Sequence, residues 1–177
     1  MSATDPLISV SEMPKTVQPT VEISDAKRIP LSELGTMRAQ GGPGSIEDHI
    51  RGILGKFAIA KFFGAPEKVD NEIYEYGDPG YDLQIDGKTI DVKTVNPRAN
   101  NPGLLIDATQ NINADYYVLV QELNASTYRI IGYAPARVVK NADVRSMRLD
   151  GYAKRLRIVE QYDLFPIPSY VGVSEQS

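Results

Sequence analysis

Residues 80–94 read GYDLQIDGKTIDVKT, two alternating runs on either side of Asp86-Gly87. That pair tolerates positive φ at both central positions, so it is expected to close a two-residue type I′ hairpin. The turn sets the register. Ile85 then faces Lys88, Gln84 faces Thr89 and Leu83 faces Ile90, which puts Asp82 opposite Asp91, with Lys93 two residues further along the same face. Directly opposed side chains have Cβ atoms about 4.5–5.5 Å apart, and like charges there repel. The carboxylate pair therefore requires a cation or a proton.

A plainer reading of the same stretch is an amphipathic ribbon, with Leu83, Ile85, Ile90 and Val92 facing a core and the polar residues facing water. Two details weigh against it. A solvated face has no reason to place its two acids opposite one another, and Lys93 adds an ammonium beside the second acid. Mg²⁺ is bound through one or two carboxylates completed by waters and phosphate oxygens. Asp82, Asp91 and the backbone carbonyl of Val92 would supply that set, with Mg²⁺ or Mn²⁺ as the expected cofactor.

At these residues the chain resembles the PD-(D/E)XK nuclease superfamily, whose signature is an acid on one strand, an acid-X-Lys on the next and often a Glu on a preceding helix. Asp82 matches the first acid, Asp91 the second and Lys93 the lysine. The family's proline is displaced, since Pro79 lies three residues before Asp82. The resemblance implies an α/β fold: a restriction-endonuclease-like αβββαβ core with a mixed central sheet flanked by helices. The run ADYYVLVQ…YRIIGYAPARVV with a final YDLFPI is similar to the C-terminal half of small phage-type members, extending the likeness over roughly residues 45–170. The implied activity is metal-dependent hydrolysis of phosphodiester bonds in nucleic acid, DNA in preference to RNA, in a phage or mobile-element setting. Many members act as dimers, so a homodimer is also implied.

The helix is where the pattern departs. Phage-type relatives carry a Gly-Glu step, whereas here Gly55 is followed by Lys56. Glu47, on the first turn of the same helix, is the candidate replacement and a fourth catalytic candidate beside Asp82, Asp91 and Lys93. An acid there is also favoured by the helix dipole whatever the function. His49 and Lys56 lie nearly in line on the other border of the apolar stripe, two turns apart, and are candidates to meet a phosphate. Asn96 and Arg98 in the following loop, and Arg145 and Arg148 further on, complete the candidate nucleic-acid contacts.

Composition bounds the alternatives. The 177 residues are 42% hydrophobic and 24% charged, enough for one ordinary core. The absence of cysteine excludes disulfides and thiolate chemistry, and the single histidine, His49, excludes multi-histidine metal sites. No apolar run approaches the roughly 20 residues of a membrane span, and the first residues lack the order of a secretory signal. A cytoplasmic location is expected, that of the host for a phage-encoded chain. The net charge of −4 is unevenly distributed: residues 67–91 hold eight acids against two lysines, while residues 129–157 hold eight bases against Asp143 and Asp150. That basic segment is a candidate surface for tracking a phosphate backbone, although such clusters are ordinarily solvated surface.

Along the chain, residues 1–40 lack sustained periodicity and read as a flexible N-terminal arm suited to contacting a protein partner, with a short helix at 29–37. The nuclease-like domain is expected over 41–172 and a tail over 173–177. Ser45 caps a helix that runs to about Phe63, with Gly64 as its C-cap. A strand is expected at 72–76, then the motif hairpin, then a loop at 95–105. A second hairpin turns at Asn124-Ala125, between strands at 116–122 and 127–133. Short helical pieces are expected at 136–139 and 143–147, and a last strand at 156–159. Tyr116, Tyr117, Tyr128 and Tyr133 read as packing residues in preference to base-stacking platforms. A second functional class stays open: a catalytically silent nuclease-like fold serving as a nucleic-acid-binding or assembly module.

Overall fold

The computed structural model describes residues 18–23, 46–64, 82–149 and 151–168. Its elements in chain order are β1 (Thr20–Glu22), α1 (Ile46–Phe62), β2 (Leu83–Ile85), β3 (Lys88–Val95), β4 (Leu104–Asp107), β5 (Tyr116–Asn124), β6 (Thr127–Pro135), α2 (Ala136–Lys140), β7 (Asp143–Leu149) and β8 (Tyr152–Val159). The fold is α/β and rich in strands. A five-stranded mixed sheet has the order β1-β6-β5-β3-β2, and a three-stranded antiparallel sheet has the order β4-β8-β7.

The motif hairpin forms with the expected register, Leu83 to Ile90, Gln84 to Thr89 and Ile85 to Lys88. Asp86 and Gly87 take φ of 50° and 79°, the two positive values a type I′ turn demands. β3 continues past its short partner and pairs in parallel with β5, Asp91 beside Tyr117 and Lys93 beside Leu119. β5 has a neighbour on each edge and a packed layer on each face. Its first six residues are all buried, which explains why YYVLVQ shows no alternation.

The two faces of this sheet make two cores. On one, Ala58 and Ile59 of α1, with Phe63 just beyond it, pack against Leu83, Ile90, Val92, Val118, Val120 and Ile130. On the other, Tyr117 and Leu119 meet Leu104 and Ile106 of β4 together with Val139 and Val159. Tyr116, Tyr117, Tyr128 and Tyr133 are all buried, as their reading as packing residues requires. α1 ends where expected: Gly64 has φ 73°, and its N–H donates to the Lys61 carbonyl.

Several expectations are corrected. Residues 143–147 form strand β7 and not a helical piece. The loop expected over 95–105 gives way to β4 from Leu104 onward. The segment 1–40 is not an arm throughout, because Thr20–Glu22 pairs with β6 and buries Val21 and Ile23. The helix at 29–37 and the strand at 72–76 lie outside the described residues. Among the described residues no helix is long and apolar enough to cross a membrane.

Candidate active site

β2 begins at Leu83, one residue after the acid, and this late start shapes the site. The Asp82 N–H donates to the Ile90 carbonyl, and its side chain then bends back along β3. Val92 N–H, which a longer β2 would satisfy with a backbone carbonyl, donates instead to Asp82 Oδ2 at 2.6 Å. A strand residue's N–H and C=O point to the same edge, so the Val92 carbonyl is directed at this same gap. Asp82 and Asp91 are only 7% and 6% exposed.

Each carboxylate has an ammonium at its shoulder. Lys93 Nζ lies 3.1 Å from Asp91 Oδ2, and Lys56 Nζ lies 3.1 Å from Asp82 Oδ1. The buried Asp91 Oδ2 has the Lys93 ammonium as its partner. Burial is the main cause that pushes the Asp91 carboxyl up to about 7; Lys93 opposes it, while the charge and hydrogen bond of Asp82 reinforce it. Two facing carboxyls bond to each other only by sharing a proton, so the pair supplies its own alternative to a cation. Lys93 is pulled down by burial, but Asp91 and then Asp82 outweigh this and hold it above the ordinary lysine value.

These groups open on a cleft of about 470 Å³ lined by Asp82, Asp91, Val92, Lys93, Gln110, Asn111 and Asn113. The three carboxamides come from the loop between β4 and β5. Tyr117 stands behind Asp91, its hydroxyl accepting the Ala114 N–H at 3.3 Å; burial raises its phenol's pKa despite that bond.

The structure thus brings together Asp82, Asp91, Val92 and Lys93 as the hairpin register demands, and adds Lys56. It does not bring in Glu47. That residue is exposed on the first turn of α1. Nine residues separate it from Lys56, about half a turn out of phase at 100° per residue, so the face that reaches Asp82 turns Glu47 away. His49 lies in α1 two turns before Lys56, and its side chain is outside the described residues. Asn96 and Arg98 are exposed but do not line the cleft: Asn96 Oδ1 accepts the Arg98 N–H, and Gln121 ties down the Asn96 and Ala99 carbonyls. Arg145 pairs with Glu160 at 2.8 Å, and Arg148 donates to the Gly151 carbonyl.

Gln110, Asn111, Asn113 and Tyr117 are additions that the sequence reading missed as site residues. Their signal was faint: the run ATQNINAD is polar and lies just before the strand that pairs with β3. Among the described residues no group of three or more His, Cys, Asp or Glu side chains converges to hold a metal. The donor set nevertheless suits a hard dication, because it consists of two buried carboxylates and a carbonyl.

Compared with known proteins, the chain matches no family model, no curated protein and no solved structure.

Proposed function

We propose that this protein is a metal-dependent nuclease built on a restriction-endonuclease-like core, hydrolysing phosphodiester bonds in DNA. The observation that carries this reading is the convergence of two buried carboxylates, Asp82 and Asp91, and Lys93 on one cleft. Asp82, Asp91 and the Val92 carbonyl would hold Mg²⁺ or Mn²⁺. Such an ion, when bound, stabilises charge on a scissile phosphate and acidifies a bound water. To hold such an ion, Asp91 would be needed as its carboxylate, and Lys56 would release the Asp82 oxygen it pairs with. Lys93 orients the attacking water and offsets the charge that develops on the phosphate. Gln110, Asn111 and Asn113 offer amide donors to non-bridging phosphate oxygens, positioning the backbone without reading bases.

Cleavage of labelled duplex and single-stranded DNA with Mg²⁺ and Mn²⁺ tests the proposal. Asp82→Ala, Asp91→Ala and Lys93→Ala should each lower the rate by about two orders of magnitude, the scale of losing one preorganised group. Folded mutants that cleave at the wild-type rate would remove the assignment, as would a wild type that cleaves nothing.

One observation favours a second reading, a catalytically silent fold used as a binding module. Lys56 neutralises Asp82 from the helix position where phage-type members of the superfamily it resembles carry an acid, so the carboxylate pair is already compensated without metal. Thermal shift separates the two. Mn²⁺ should stabilise the wild type and not Asp91→Asn if the ion binds the native state, whereas a silent module responds in neither.

A further inference from the structure

Among the described residues the β7–β8 hairpin is anchored at one end. Near its root, Leu156, Ile158 and Val159 are buried, and β8 pairs with β4 from Leu104 to Asp107. Among the described residues no third strand pairs with the ribbon beyond Leu156, and Arg145, Ser146, Arg148, Tyr152, Ala153 and Arg155 are exposed. The register puts Arg145 and Met147 beside Leu156 and Lys154 on one face, and Ser146 and Arg148 beside Arg155 and Ala153 on the other. Cations therefore stand on both faces of the same two-stranded ribbon. The register also sets Leu149 beside Tyr152 on the face of Met147 and Leu156, so the charge on that face comes from Arg145 and Lys154, while the other face carries Arg148 and Arg155. Tyr152, 66% exposed, adds an aromatic ring near its tip.

The root of this ribbon adjoins the candidate active site. The Ala108 N–H donates to the Arg155 carbonyl, and Lys154 acts electrostatically on Asp107. Two and three residues after Ala108 come Gln110 and Asn111, which line the cleft. A polyanion lying along the ribbon thus passes the cleft wall.

We propose that the β7–β8 ribbon is a duplex-DNA-binding arm that holds the double helix over the Asp82–Asp91 cleft. It rests on the nuclease reading only for the cleavage of the bound duplex, since the binding itself needs no catalysis. Two strands about 5 Å apart fit a major groove about 12 Å wide, which admits a two-stranded ribbon. Cations on both faces suit a groove with phosphates on both walls, whereas a single-strand binder presents one charged surface with stacking rings. Arg148, Lys154 and Arg155 make the backbone contacts; Arg145 is already paired with Glu160.

The test is fluorescence anisotropy of the full chain with a mixed-sequence duplex of about 24 base pairs and the matching single strand, without divalent metal, across roughly 50–200 mM NaCl. The wild type should prefer the duplex. The triple variant Arg148→Gln, Lys154→Gln, Arg155→Gln should bind about tenfold or more weakly and lose roughly two to three from the slope of log K against log salt, near one per phosphate contact. Unchanged affinity and slope in the triple variant would overturn the proposal, and so would tighter binding to the single strand.

A second measurement does not depend on weakened binding. The chain has no cysteine, so Tyr152→Cys places a unique thiol on the ribbon, and Ala125→Cys places one on the exposed β5–β6 turn. Thiol-tethered duplex should crosslink at 152 and not at 125; the reverse would also overturn the arm. Failure of the nuclease reading looks different: ribbon-dependent binding with no cleavage in Mg²⁺ or Mn²⁺ leaves the arm standing and removes the enzyme.

Discussion

An aspartate 6% exposed and facing a second buried aspartate is hard to ionise, and Asp91 shows the consequence. Its carboxyl takes up a proton near pH 7 in the folded chain, against an ordinary value of 3.8, chiefly because burial disfavours the charged form. Between those pH values the folded chain holds the extra proton. The stability this group contributes is therefore full below about pH 4 and declines as pH rises to about 7. Asp91→Asn carries no ionisable group there, so its melting temperature relative to wild type should climb between pH 4 and pH 8 in metal-free buffer. A flat difference across that range, followed by circular dichroism, would contradict the buried-acid account. Metal competes with the same proton, so affinity for Mn²⁺ should rise over the same interval. Lys56 gives a further residue-scale test: Lys56→Glu places a third carboxylate beside Asp82 and should tighten Mn²⁺ binding, because such sites are tuned by ligand charge. Glu47→Gln, on the far side of α1, should give a calorimetric isotherm like that of wild type.

At the scale of elements, the helix reaches the site only because Gly55 lets it lie close. A Cβ at Gly55 would collide with the Thr94 side chain on β3, and the neighbouring Lys56 is the residue delivered to Asp82. Gly55→Ala should therefore cost about 1–3 kcal/mol, the range for overpacking a close contact, despite alanine's better helix propensity. Chemical denaturation would measure it, and a stabilised variant would show that the contact is not tight. The motif hairpin was legible because turn chemistry and alternation agreed, and Asp82, Asp91 and Lys93 followed from its register. β7 was not legible. In DVRSMRL only Met147 and Leu149 share a face, with Asp143 and Arg145 on that same face and Val144 on the other, too little alternation to mark a period of two. Glu47 failed for a related reason. Its border position relative to the apolar stripe was clear, but which border meets β2 depends on how α1 packs, and Gly55 against Thr94 decides that.

At the scale of the molecule, the five-stranded sheet is completed by residues that looked like part of a tail. Three residues are too few to show a period, so TVE carried no strand signal, yet Val21 and Ile23 enter the core beside α1 and β6. β1 also covers the β6 edge, whose unpaired backbone groups would otherwise be a template for association. The Lys61 ammonium donates to the Glu22 carbonyl at 2.6 Å, tying β1 to the end of α1. Fully burying an aliphatic side chain is worth about 1.5–3 kcal/mol, so losing both should cost several kcal/mol. A chain lacking residues 1–24 should accordingly melt on the order of 10 °C lower than one lacking only residues 1–17, at about 2–4 °C per kcal/mol for this size. Its exposed edge should also favour self-association, which light scattering would detect. Equal melting temperatures and equal masses for the two truncations would show that β1 contributes nothing to the sheet.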